Sequence, residues 1–470
     1  MSIKEKSLEK KLARIVGKDY VSADKSTNFV YAKDTMPWDV EEHNIPYFVL
    51  RPGSSQEVSE ILKLASDMEI PVHTHGSGTS LVGLGRPKAR GIVLDMARFQ
   101  EFIAYPERGY FEVGAGMHIA NLRKKLTPYN SMLPVFPGSE LVATIGGAVS
   151  VNTSAHAVDA TICKPGDYVL GLEVVLADGT ILNTGTESTR KPAGIEMTKF
   201  LVGCEGLLCV ITGIRMRLIP EPFLSNIVAY YPSTEDIIET VMSMYKKSVH
   251  TPLFFEYLDE KSSRVGYEAV GLEPHDGAVA MMTVHDSTQK GCREKANEFL
   301  NFLKTTNASE LSIVEDEQKW KKIWGSRSEA GNYLYRLGST FGSEITPKVD
   351  KLKEAFQEMK DHILNLESYK NPEFYSFGHI GAPTIHAYAF IPTKEIPNDI
   401  KKNVAMEVRN KSEDLNVKYG GCGGEWGLTA QRANFLQKKY GKQYYNMLVG
   451  LKKSFDPKNI LNRGNLEGWS

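Results

Sequence analysis

Two histidines and a carboxylate stand among glycines in the C-terminal half: Gly378-His379-Ile380-Gly381, then His386, then Glu425 in Gly423-Gly-Glu-Trp-Gly427. Imidazole nitrogen and carboxylate oxygen suit a borderline cation such as Zn, Mn or Fe. The seven-residue spacing fits a loop that folds His379 back beside His386, the first residue of the strand His386-Ala-Tyr-Ala-Phe-Ile. Glu425 sits in a turn where glycines let the backbone approach a metal or ligand closely. Ordinary structural roles are the commoner use of two histidines, and the residues alone leave both readings open.

A second chemistry belongs to two glycine-rich turns. One is His75-Gly-Ser-Gly-Thr-Ser-Leu81; the other is Pro137-Gly-Ser139, continuing to Thr144-Ile-Gly-Gly147 and Asn152. Without Cβ atoms in the way, backbone N–H groups can approach phosphate oxygens, and Ser/Thr hydroxyls add donors. Neither turn is a Rossmann fingerprint or a Walker loop. A tight turn with no ligand is the plain alternative for either one taken alone.

The elements that must position these groups fall into two patterns. Phe48-Val-Leu-Arg-Pro reads as a strand entering a turn, and Ser54 with Glu57 is a capping-box pattern opening a helix to about Met68. Ile70–Thr74 and Gly91–Met96 read as strands, and this α+β alternation runs to the boundary Pro220-Glu-Pro222. Beyond it come a strand at Asn226–Tyr231 and a helix at Ser233–Lys247 with Ile237, Ile238, Val241 and Met244 on one face. Strands at Phe254–Leu258 and Ala278–Val284 and a helix from about Ser287 to Lys304 follow. That order predicts an antiparallel sheet with helices on one face. The segment Asp456–Asn462 is predicted to pack back onto the rest. The expected division is 1–222, 223–445, and a C-terminal 446–470 lying near the first domain.

Length and composition bound the function. A chain of 470 residues, 41% hydrophobic and 24% charged, is expected to form two globular domains. A formal charge of −1 gives no electrostatic reason to expect nucleic acid or anionic lipid as main partner. The five cysteines (Cys163, Cys204, Cys209, Cys292, Cys422) contain no C-x-x-C pair, which argues against an iron–sulfur cluster or zinc knot and suits a reducing cytoplasm. No signal-peptide core and no run of 18 apolar residues is present. A cytoplasmic protein is expected, with peripheral membrane association and homo-oligomerisation both left open.

Five blocks occur in order: Pro71–Gly85, Gly91–Met96, Pro137–Asn152, Asp167–Gly179 and Gly203–Thr212 (GCEGLLCVIT). Together they resemble the FAD domain of the vanillyl-alcohol oxidase/p-cresol methylhydroxylase superfamily, in its FAD-linked D-lactate dehydrogenase and glycolate oxidase branch. The resemblance implies an α+β fold: a two-subdomain FAD-binding domain of the p-cresol methylhydroxylase type, plus a substrate domain whose antiparallel sheet is covered by helices. It implies that His75 opens the first cofactor loop and that Gly76, Ser77, Gly78, Thr79 and Ser80, with Pro137, Gly138 and Ser139, bind the pyrophosphate. Thr144, Gly146, Gly147 and Asn152 would line the cofactor, the backbone of Val210 and Ile211 would meet its ring system, and Asn462 would stand at the flavin or substrate edge. Some relatives attach FAD through a histidine in the first loop. Thr79 holds that position here, so non-covalent FAD is expected.

The C-terminal motifs extend the resemblance. The family's G-H-x-G-D-G-N-x-H, G-E-H-G and D-P-x-N-I-L-N-P-G correspond to GHIGAPTIH, GEWG and DPKNILNRG. By that match His379, His386 and Glu425 would hold a divalent ion such as Zn or Mn, and Arg327 would clamp the substrate carboxylate. The departures are Ala382-Pro383-Thr384 for Asp-Gly-Asn, and Trp426 for the family's histidine base. Indole cannot accept a proton, so Tyr388 or an unliganded histidine must replace that base, or the substrate differs, with Trp426 flooring a flatter one. The expected activity is oxidation of a small 2-hydroxy acid by hydride transfer to flavin, with electrons passed to a quinone, a cytochrome or an electron-transferring flavoprotein. The alternatives are a metal-free oxidase of another alcohol and an electron-relay flavin subunit.

Overall fold

The computed structural model describes residues 3–35, 40–154, 156–158, 164–188, 194–421, 423, 427 and 433–466. The chain forms two compact units. The first comprises Met1–Ser154, Lys164–Ile219 and Glu425–Ser470; the second comprises Ala155–Cys163 and Pro220–Gly424. The short stretch 155–163 thus belongs with the second unit, and the C-terminal residues with the first.

In the first unit, β1 (Val21–Ser22), β2 (Phe48–Leu50), β3 (Val72–His75) and β4 (Ile92–Asp95) form a sheet in the order β1-β2-β4-β3, with β2, β4 and β3 parallel. Helix α1 (Ser55–Asp67) makes the β2-to-β3 crossover. The Ser54 hydroxyl accepts the Glu57 N–H, and the Glu57 carboxylate accepts the Gly53 N–H at 2.7 Å. Val58, Ile61, Leu62 and Ala65 of α1 pack on Phe48, Leu50, Val72, Ile92 and Leu94. The C-terminal segment lies against β3: the Val72 N–H reaches Ile460 O at 2.7 Å, and the Asn462 N–H reaches Val72 O at 2.8 Å. Asp456 organises that segment by accepting the Ile460 and Leu461 N–H groups and by pairing with the buried Lys452.

A second, antiparallel sheet has the order β5-β6-β9-β7-β8, from β5 (Phe102–Tyr105), β6 (Tyr110–Gly114), β7 (Val169–Val175), β8 (Ile181–Asn183) and β9 (Val210–Arg217). Helix α2 (Ile145–Val151) starts at Thr144, whose hydroxyl accepts the Gly147 N–H.

The second unit is built on one seven-stranded antiparallel sheet. Its strands are β10 (Phe223–Tyr231), β11 (Phe254–Leu258), β12 (Ala278–Asp286), β13 (Glu310–Ile313), β14 (Ser339–Ile345), β15 (Glu373–Gly378) and β16 (Ile385–Ile391), ordered β13-β10-β12-β11-β15-β16-β14. One face packs on α3 (Thr234–Lys246), α5 (Gln289–Leu303), α7 (Leu352–Leu364) and α8 (Asn398–Lys418). The expectation of helices on a single face is corrected here. Helices α4 (Glu260–Ala269) and α6 (Glu317–Leu337) cover the other face through Tyr267, Ile323, Ala330 and Leu334. The sheet is apolar on both sides, so both must be covered. Close approach of α4 and α6 is enabled by Gly266, where a Cβ would stand 2.5 Å from Ser326 O.

Candidate functional site

In the first unit the two glycine-rich segments meet. A Cβ on Gly76 would lie 2.6 Å from the Thr144 hydroxyl, and one on Gly146 would lie 2.6 Å from Ala115 O. Gly78 adopts φ +65°, the left-handed conformation glycine tolerates. Among the described residues the backbone N–H groups of Ser77, Gly78 and Thr79, and of Gly138 and Ser139, make no hydrogen bond, whereas Ser80 Oγ accepts the N–H groups of Val82 and Leu84. Two clusters of free N–H donors, brought together through Gly76 and Thr144, are the donor set a pyrophosphate needs. The Thr74 hydroxyl, His73 Nε2 and the Asn465 amide are also buried without a partner among the described residues. Sequence reasoning missed these three; groups of that kind in a native fold call for a ligand or an ion. The cradle fits a dinucleotide.

The remaining cofactor-loop residues take the following places. His75 is buried, its ring edge-on to Tyr31 at 5.1 Å with Nδ1 against its own Gly76 O, and burial lowers its pKa. Asn152 adopts φ +48° and its Oδ1 accepts the Gly166 N–H. Asn462 donates to Glu205 O at 2.8 Å and accepts from Thr74 N–H at 3.1 Å, so its amide ties the C-terminal segment to the first loop. Val210 and Ile211 open β9 beside a bulge between Ile211 and Gly213. Pro137 O accepts the Glu140 N–H, closing the second turn. Replacing Gly76 by Ala is expected to push the Thr144 cap aside and weaken flavin binding by roughly tenfold. The flavin-to-protein absorbance ratio after gel filtration measures it.

In the second unit a buried polar cluster interrupts the apolar face under α6. Glu256, in the middle of β11, is fully buried. Its Oε2 accepts the Arg327 Nε–H at 2.7 Å, and its Oε1 is hydrogen-bonded to His379 Nδ1. His156 Nδ1 lies 3.3 Å from the same Oε1, outside hydrogen-bond geometry. Burial would raise the Glu256 pKa, but His379, Arg327 and His156 overcome it and hold the carboxyl well below its usual range. Burial lowers the His156 pKa, and Glu256 offsets only part of that. His156, unlike Glu256, is therefore neutral near pH 7.

The backbone explains why these side chains meet. Segment 156–158 lies antiparallel beside β11, with an Ala157–Phe254 bridge and the Val158 N–H on Leu253 O at 2.8 Å. Gly378 ends β15 where a Cβ would stand 2.5 Å from Thr384 O. That tight fold turns His379 back toward His386, placing the two Nε2 atoms 3.3 Å apart. Arg327 sits in the inward stripe Ile323, Ser326, Arg327, Ala330, Leu334 of α6, with its guanidinium 4.5 Å above the Phe377 ring. Tyr388 is buried and stacked on Phe377 at 4.8 Å. Glu425 and Trp426 lie outside the described residues.

His156, Glu256 and His379 are close enough to share an ion. However, both Glu256 oxygens already face nitrogen groups of Arg327, His379 and His156. The better metal donors are the two Nε2 atoms: nitrogens bound at about 2.0–2.1 Å around a tetrahedral ion stand about 3.4 Å apart. With an ion there, Glu256 would take the outer role, its hydrogen bond to Nδ1 fixing the ring and tautomer of His379. Sequence reasoning missed both Glu256 and His156. The signal for Glu256 was a lone carboxylate within the apolar strand Phe-Phe-Glu-Tyr-Leu.

A dinucleotide cradle in one unit and a buried His/Glu/Arg cluster in the other are the parts of a flavin-dependent oxidoreductase. Residues 46–185 match the FAD binding domain family, and residues 223–466 match the family of FAD linked oxidases, C-terminal domain. The chain belongs to the FAD-linked oxidases. It is similar to glycolate oxidase subunit GlcD of Bacillus subtilis, 25% identical over 98% of this chain and 97% of that protein. It is similar to D-lactate dehydrogenase of Archaeoglobus fulgidus, 27% identical over 89% of this chain and 90% of that one. Its fold matches p-cresol methylhydroxylase with substrate bound, at TM-score 0.81 and 16% identity, over 99% of this chain and 97% of that one. The protein is an FAD-dependent oxidoreductase acting on CH–OH groups. Among the described residues no helix is long and apolar enough to cross a membrane.

Proposed function

We propose that the protein oxidises a small 2-hydroxy acid of the lactate, glycolate or 2-hydroxyglutarate type. One observation carries the reading: Arg327 is buried, anchored through Nε to Glu256, and its two terminal nitrogens make no hydrogen bond among the described residues. A guanidinium held this way presents its fork to a carboxylate. The names of the similar proteins point to the same substrate class.

In this reading Arg327 binds the substrate carboxylate, and Glu256 keeps the guanidinium from swinging away. His156, neutral near pH 7 and beside Glu256, takes the hydroxyl proton, supplying the acceptor that Trp426 cannot. His379, His386 and Glu425 would hold a Zn or Mn ion, which lowers the pKa of a bound hydroxyl. FAD would be held without a covalent link, because Thr79 cannot form one, and would supply the hydride acceptor. A quinone, a cytochrome or an electron-transferring flavoprotein then takes the electrons. The substitutions Trp426 and Ala382-Pro383-Thr384 favour a second reading, oxidation of a different alcohol without metal.

Anaerobic titration separates the two. D-lactate, glycolate and D-2-hydroxyglutarate are added to the flavoprotein with and without Zn²⁺ or Mn²⁺. Metal-enhanced bleaching of the visible flavin band by at least one hydroxy acid is expected. Bleaching by dithionite but by no hydroxy acid moves the assignment to the second reading.

A further inference from the structure

We infer that Cys204 and Cys209 form a dithiol that closes to a disulfide when a hydroperoxide reaches it, a modification site at the turn entering β9. The two Sγ atoms stand 3.9 Å apart. The turn doubles back through Glu205 at φ +54° and Gly206 at φ +69°, with the Leu207 N–H on Cys204 O at 2.9 Å. A disulfide needs about 2.05 Å between sulfurs, so side-chain rotation must close roughly 2 Å. Neither cysteine belongs to a group of three or more His, Cys, Asp or Glu donors close enough to share an ion, among the described residues.

The pair is asymmetric in the way such chemistry requires. The Cys204 thiol is pulled down by its hydrogen bond with Cys209 and by the backbone N–H groups of Gly206, Leu208 and Cys209. The Cys209 thiol is pushed up, by the bond to Cys204 and by burial. The buried Lys452, fixed by Asp456 and by Leu461 O at 2.7 Å, adds a cation within electrostatic reach of Cys204. The thiolate is the reactive form. Relative exposures of 8% and 1% admit only a small oxidant.

With hydrogen peroxide the step balances. Cys204 thiolate attacks one peroxide oxygen, the O–O bond breaks, and hydroxide leaves to form water with a proton, giving a sulfenic acid. Cys209 sulfur attacks the sulfenic sulfur, the S–S bond forms, and a second water leaves with the thiol proton. Two thiols lose two electrons, which the peroxide takes. The closed form would fix a turn that is tied through Glu205 to Ser150 O and to the Asn462 amide.

The test uses the reduced, full-length flavoprotein, freed of reductant and exposed to graded hydrogen peroxide. It is then denatured, alkylated and cut with trypsin. Lys199 and Arg215 bound a peptide, 200–215, that holds both cysteines and no other. That peptide is expected to lose two hydrogens and escape alkylation at doses where Cys292, a buried lone thiol raised by burial, remains alkylated. Dithiothreitol should restore two alkylation sites. In Cys209→Ala, dimedone should trap Cys204 as a sulfenic acid. Two alkylated cysteines in 200–215 up to the dose that oxidises Cys292 would overturn the inference. So would added oxygen on Cys204 with no two-hydrogen loss in the unsubstituted protein.

Discussion

Glu256→Gln is expected to lower kcat/KM for the proposed hydroxy-acid substrate by about 10²–10³-fold and Tm by roughly 10 °C. The side chain keeps its shape but loses its charge and one of its two acceptor oxygens. In the native cluster both oxygens are used, one by the Arg327 Nε–H and the other by His379 Nδ1 with His156 nearby. An amide must turn its NH₂ toward one of those nitrogen groups, and Arg327 becomes a buried cation without the Glu256 counter-charge. Breaking a buried pair from one side costs about 3–5 kcal/mol. Loss of an outer-shell carboxylate weakens metal binding or activity by about 10–100-fold.

The pH dependence has a definite sign. Glu256 is held well below its usual pKa, so its contribution to stability is fully present above the unfolded carboxylate value of about 4.3 and is lost as pH falls through the lower folded value. The Tm gap between native protein and variant should therefore be flat from about pH 6 to 8 and narrow only in acid. His156 adds a separate effect. Its lowered pKa means the unfolded chain binds a proton below about pH 6.5 that the fold does not, which destabilises both proteins as pH drops. Steady-state kinetics and thermal melts across pH check all of this. A variant within about threefold of native kcat/KM would remove Glu256 from the mechanism.

How far the sequence discloses the site depends on how local each signal is. The α1 cap is written in adjacent letters, Ser54 and Glu57, and the helix begins there. The glycine loops are equally local, because close backbone approach excludes a Cβ and positive φ favours glycine. His379 and His386 share one hairpin, so their spacing was sufficient. Glu256 and His156 are different: Glu256 is marked only as a lone carboxylate in an apolar strand, nothing near His156 marks it, and each acquires meaning only when β11, the 156–158 segment and the β15–β16 loop are placed side by side. Arg327 shows the intermediate case. Its inward position follows from the spacing of Ile323, Ala330 and Leu334, yet α6 is rich in Lys and Glu on its other faces, which masks the stripe. The same masking hid the second helical layer over the sheet.

Arg327→Lys is expected to cost about 100-fold in kcat/KM toward hydroxy acids while sparing alcohols that lack a carboxylate. The expectation follows from what Lys keeps and loses. It keeps the positive charge beside Glu256, so burial is still compensated and the melt should shift little. It loses the planar fork: an ammonium drawn to Glu256 cannot also present two parallel N–H groups to a substrate carboxylate. Charge-assisted hydrogen bonds are worth about 1.5–3 kcal/mol each, and the loss of one at the upper end corresponds to about 100-fold. A cation lying 4.5 Å over the Phe377 ring is also lost or displaced, but that contact does not depend on the substrate and should act equally on all alcohols. Comparing a 2-hydroxy acid with its methyl ester separates the two contributions. A large loss for the acid with a small one for the ester assigns Arg327 to the carboxylate. Equal losses for both would make it a packing residue of the Glu256 cluster and would favour the carboxylate-free alcohol as substrate.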